Sequence, residues 1–268
     1  MHRVFFLITT LTLCPAGYVR AGPAEEFAGL LHDSWEWRLK ENPVFASQLG
    51  DHRYNRQWRD ISPSAFERRH HQRQDFHQRL QAINFAQLSP ADQLNYELFK
   101  RGLEDRLEGY QFKSYLMPLS QRGGVQSLDS MAEQIPLVSV KDYEDWLARM
   151  TTLETVIEQT MALLETGRKR GYTAPRILME RLPDQINAQL VDNPEESPFF
   201  VAFASMPADI GKLEQAHFRA RASEIIASSI VPAYRQFSKY FNESYLPACR
   251  DSIAASALPQ GKVSNHGF

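Results

Sequence analysis

Cysteine is nearly absent. The 268 residues include two, Cys14 and Cys249. Cys14 falls in a segment that reads as a cleaved leader, so the mature chain keeps one thiol and cannot form an internal disulfide. Its fold must rest on its core. Glycine is scarce as well, with 13 residues placed at apparent breaks between segments. That argues for helices over a β-sandwich. Neither sign of charge prevails. A formal net charge of −2 gives no reason to expect nucleic acid or an anionic membrane as partner. The 43% hydrophobic and 23% charged residues are ordinary for a globular protein and exclude wholesale disorder.

Familiar catalytic patterns are missing too. The eight histidines are at positions 2, 32, 52, 70, 71, 77, 217 and 266. No two stand four apart, and none is followed directly by Glu, so the helical zinc-hydrolase pattern is absent. No phosphate loop or dinucleotide fingerprint occurs. A Ser–His–Asp set cannot be argued from spacing, because such a triad is defined by geometry.

The first residues read as a targeting segment. Met1-His2-Arg3 is a short basic start, and Val4 to Leu13 is an apolar run too short to span a bilayer. Pro15 and Gly17 break it, and Val19-Arg20-Ala21 supplies the small and β-branched residues of a signal-peptidase site. Residues 1–21 are therefore read as a signal peptide, with export to a bacterial periplasm and no membrane attachment after cleavage. Lipoprotein anchoring through Cys14 is disfavoured because Leu13 is too large for a good lipobox.

The mature chain reads as helical. Phe27, Leu30, Leu31, Trp35 and Leu39 recur at three- and four-residue steps, and Asn42-Pro43 ends that run. Ser62-Pro63 and Ser89-Pro90 each pair a capping side chain with a proline suited to the first helical turn. Ser139 and Asp142 form a capping box ahead of Tyr143, Trp146, Met150, Leu153, Ile157, Met161 and Leu164. This stripe predicts one helix of about thirty residues, roughly 45 Å long, ending at Gly171. Pro175 opens another to about Leu190, and a last stretch from Ile210 to Tyr245 should kink or split at Pro232. Residues 114–138, with Pro118, Gly123, Gly124 and Pro136, form a long internal loop. The expected fold is all-α, an elongated array of several helices with long antiparallel members.

Several polar groups are candidates for function. Gln121-Arg122-Gly123-Gly124 offers bare backbone N–H groups beside a cation, suited to a carboxylate or a peptide backbone; a sharp turn explains the glycines equally. Asp51, His52, Arg53 and Tyr54 could line a polar pocket or be ordinary surface residues. Glu67, His71 and Asp75 share a helix face, but Arg68, Arg69, Arg73 and Arg79 mark that helix as a solvated surface. Asp192 to Pro198 reads either as helix caps or as a ligand contact. Cys249 reads as a packed small hydrophobe.

Taken together, several segments resemble a known bacterial family. They are Trp35-Glu36-Trp37-Arg38, Gly50-Asp51-His52-Arg53-Tyr54-Asn55, Leu116 to Gly124, Asp142-Tyr143-Glu144-Asp145-Trp146-Leu147, Asp192 to Phe199, and Ser256 to Lys262. The family is named domain of unknown function 885, and the resemblance spans residues 25 to 262. It implies a helical, exported, metal-dependent peptidase about twice this length, with its zinc motif in the second half. No position here matches that motif, so no cofactor is expected in this chain, and zinc is expected only in the missing half. Residues 22–262 are then the helical front region of such a peptidase. They would wall a channel for a peptide substrate but be inactive as written. Residues 263–268 depart from the family pattern and read as a truncated or aberrant tail. The alternative is an exported helical binding or scaffold protein with no enzymatic role.

Overall fold

A computed structural model describes residues 22–261. The segments read as a signal peptide (1–21) and as an aberrant tail (263–268) lie outside the described residues. Within them the fold is all-α, and the only β-pairing is two isolated bridges.

Three helices make the first layer: α1 (Pro23–Glu41), α3 (Pro63–Gln81) and α4 (Pro90–Gln111), with the short α2 (Pro43–Gln48) after α1. Their ends obey local chemistry. Pro23 starts α1, acids fill its first turn, and Arg38 and Lys40 meet the negative end of its dipole. The Ser62 and Ser89 hydroxyls accept the N–H groups of Ala65 and Asp92. Phe27, Leu30, Phe76, Leu80, Ile83, Leu88, Tyr96 and Leu103 close a core among these helices.

The larger core belongs to the rest of the chain. The helix expected over 139–170 is two helices, α5 (Val140–Met150) and α6 (Leu153–Lys169). The apolar stripe runs through the break, but the backbone does not. The carbonyl of Arg149 accepts the Trp58 indole N–H at 2.7 Å and the Thr152 hydroxyl at 2.9 Å, and Thr151 bonds back to Ala148. These bonds replace the helical ladder there. Pro175 likewise precedes two short helices, α7 (Arg176–Met179) and α8 (Leu182–Asn187), divided just ahead of Pro183.

After α9 (Val201–Ala204), α10 (Lys212–Ile225) runs without interruption into α11 (Val231–Tyr240) through a π-helical turn, Ile226–Ile230. Pro232 lacks an N–H and crowds the carbonyl four residues back. The wider π spacing makes room for it, so the helix is deformed and not severed. A second π turn, Phe241–Tyr245, comes directly after α11. Tyr234, Phe237, Phe241 and Tyr245 are all fully buried on one face. They pack with Trp146, Met150, Ile157 and Phe199.

The long loop is held firmly. Its residues Val125–Glu133 form 3-10 turns. The Tyr234 hydroxyl donates to the Val125 carbonyl at 2.6 Å, and Gln189 Nε2 donates to Asp129 at 3.0 Å.

Candidate functional site

The Asp51–Tyr54 segment is a 3-10 turn whose polar groups bind one another. Asp51 accepts the backbone N–H of Arg53 at 3.1 Å. The Arg53 guanidinium spans Asp51 and Glu36, at 2.6 Å to each carboxylate. Arg53 holds both carboxyls below their ordinary range, chiefly by its hydrogen bonds, and its own guanidinium is stabilised in return. The His52 ring lies 2.9 Å from the Asn55 amide and 3.9 Å from Asp142. Tyr54 gives its carbonyl to Arg149 Nη2 at 3.1 Å. The segment thus ties α1 to the start of α5.

That tie reaches a buried cation. Arg149 is fully buried and donates to Ser47 Oγ at 2.8 Å. Its guanidinium lies 5.6 Å from the Trp58 ring centre. Burial pulls its pKa down to about 10, against the opposing pull of Asp145.

Gln121-Arg122-Gly123-Gly124 forms a tight turn. Ser120 N–H donates to the Gly123 carbonyl at 2.8 Å, so Gln121 and Arg122 take the corner and Arg122 is exposed. Gly124 sits at φ +145°, a region open to glycine. A Cβ there would stand 2.4 Å from Gln126 Oε1 and 2.9 Å from Leu119 Cδ2. Among the described residues, no hydrogen bond, ion pair or ring contact joins this turn to Asp51–Tyr54.

Of the eight candidates, Gly124 alone lines an open, mainly apolar groove of about 490 Å³. Val44 and Phe45 of α2, Trp58, Phe66, Tyr115, Leu128 and Val156 form much of its wall. Phe66 and Tyr115 stack at 4.5 Å, and burial pushes the Tyr115 hydroxyl up to about 12. Sequence reasoning missed these residues. Trp58 and Tyr115 lie outside the α-helices, where no periodicity singles them out. Their signal was that they are large aromatics with no stripe to join.

The other candidates take structural roles. Glu67, His71 and Asp75 lie on the exposed face of α3, and among the described residues no three His, Cys, Asp or Glu side chains come together as a metal site. Asn193 and Ser197 cap successive 3-10 turns. Cys249 is buried, donates to the Tyr245 carbonyl at 3.4 Å, and is pushed up to about 11 by burial, which keeps it a thiol. No described helix is long and apolar enough to cross a membrane.

Comparisons with known proteins bear on the fold and the family. No curated protein matches the sequence. Among solved structures, the fold is similar to the crystal structure of "the putative lipoprotein from Colwellia psychrerythraea", with a TM-score of 0.80 and 12% identity. The likeness covers 91% of this chain and 45% of that one, so the chain spans less than half the length of that protein's structure. At such identity the likeness speaks for the fold alone. The sequence itself matches the family model described as "Bacterial protein of unknown function (DUF885)" over residues 43–264. The chain belongs to that family.

Proposed function

We propose that this chain is the exported front half of a metal-dependent peptidase and forms one wall of its substrate channel. The observation that carries this reading is the groove of about 490 Å³ between α2, α3, α6 and the long loop. Its apolar and aromatic wall suits the side chains of an extended peptide, and Gly124 lies at its edge. Gln121 and Arg122 stand beside that edge and would meet the peptide's polar end. The metal and its ligands would come from the other half of the family fold. The chain as written therefore binds peptide without cleaving it.

The test uses residues 22–268 and a panel of short apolar peptides, read by tryptophan fluorescence, since Trp58 lines the groove. Saturable binding without hydrolysis is expected, and the purified chain should hold no stoichiometric zinc. Leu128→Arg places a charged chain in the groove and should weaken binding by about tenfold or more. Arg122→Ala should weaken it by a smaller factor. Absence of binding by every peptide, or unchanged affinity in Leu128→Arg, would overturn the assignment.

A further inference from the structure

A second cavity lies within the first layer, beside the groove. It encloses about 730 Å³ and is lined by residues of α1, α3 and α4. Five arginines line it: Arg38 from α1, Arg59 from the link before α3, Arg69 and Arg73 from α3, and Arg106 from α4. Among the described residues Glu41 is the one carboxylate in the lining, and it already accepts from Arg69 Nε at 2.7 Å and lies 3.7 Å from Arg68.

Two of the five depart from the solvated face that the sequence pattern of α3 predicts: Arg69 is buried and Arg73 half-buried, while Arg38, Arg59 and Arg106 are exposed. Arg69 is 1% exposed. Its Nη2 donates to the Asp60 carbonyl, but its Nη1 is buried with no partner. The Nε of Arg73 is buried and unpartnered as well. Unsatisfied charged donors are costly in a folded protein and usually mark a missing acceptor. Aromatic rings hold the guanidinium planes: Arg38 lies 4.6 Å from the Phe45 ring centre, and Arg73 5.6 Å from that of Trp37. Arg73 is pulled down to about 10, by burial first and then by Arg106, Arg59 and Arg69. The cavity gathers like charges; an anion inside would offset their repulsion.

We propose that this cavity is an oxyanion site for a small molecule bearing carboxylate or phosphate groups, with its apolar body resting on Trp35 and Trp37. The assignment goes beyond the peptide channel and does not depend on it. The two spaces adjoin, since Asn42, Phe45 and Arg59 line both.

Inorganic phosphate, pyrophosphate and citrate, each titrated at constant ionic strength against sodium chloride, provide the probes. Thermal unfolding and the fluorescence of Trp35 and Trp37 provide the readouts. A saturable rise in Tm with any of the three, beyond that in chloride, is expected; the probe acting at lowest concentration separates phosphate from carboxylate. Arg73→Gln should leave Tm unchanged or raised without anion, because it relieves repulsion, and should move the titration midpoint by about tenfold or more. Arg235→Gln, on the exposed face of α11, should change neither. The site is overturned if chloride matches all three probes, if Arg73→Gln keeps the midpoint, or if Arg73→Gln lowers Tm without anion, as a merely structural arginine would. The peptide assay reads Leu128→Arg, so either proposal can fail alone.

Discussion

Gly123 and Gly124 are neighbours in sequence and opposites in backbone. Gly123 has ordinary φ, and a Cβ there would find Ser120 Oγ at a comfortable 3.9 Å. Gly124 has φ +145° and a Cβ would collide with Gln126 and Leu119. Gly124→Ala should therefore cost about 1–3 kcal/mol, while Gly123→Ala should stay within about 0.5 kcal/mol. Chemical denaturation of the two variants checks this, and equal losses would contradict it. Single residues of this kind were only half legible in the sequence. The pair of glycines signalled a turn, but nothing in the letters told which one the turn requires. Arg69 and Arg73 were misread for a related reason. They stand among Arg68, Glu67 and His71, and charge alone does not say which face of a helix a neighbour will cover.

At the scale of elements, the caps were the most readable part. The box at the start of α5 is complete: the Asp142 carboxylate accepts from Ser139 N–H at 2.9 Å, Ser139 Oγ at 2.7 Å and Val138 N–H at 3.2 Å. Burial alone would raise the Asp142 pKa, but these bonds from Ser139 and Val138 outweigh it and leave the carboxyl below its ordinary 3.8. Such a group contributes stability that is fully present above pH 3.8 and is lost as pH falls through the lower folded value. Asp142→Ala should cost about 1–2 kcal/mol near neutral pH. The gap to the wild type should close on acidification, as measured by urea unfolding at several pH values; a gap independent of pH would refute the cap's role. The α5–α6 break was illegible for a tertiary reason. Trp58 sits about ninety residues upstream of the carbonyl it captures, and no local rule reports a donor arriving from so far away. Pro232 was legible as a disturbance, but only the π turn shows that the chain absorbs it by widening.

At the scale of the whole molecule, the two larger cores are joined by a small apolar cluster of Leu116, Leu163 and Tyr172, whose neighbours Ile61, Phe66 and Tyr115 line the groove. Outside them, Leu94 and Leu98 stand one turn apart on α4, 63% and 62% exposed. With a net charge of only −2, there is little repulsion to keep such surfaces apart. The purified chain should associate as concentration rises, and Leu94→Gln with Leu98→Gln should reduce that association in light scattering. Monodisperse monomer at all concentrations would count against it. The division into two cores also bears on time. The first core uses only residues between Phe27 and Leu103, so its partners meet after short loop closures. The second joins Leu119 to Cys249 and stays incomplete until Cys249 has left the ribosome. The order of assembly is thus written along the chain: a nascent three-helix knot comes first, and the aromatic face of α11 seals the remainder last.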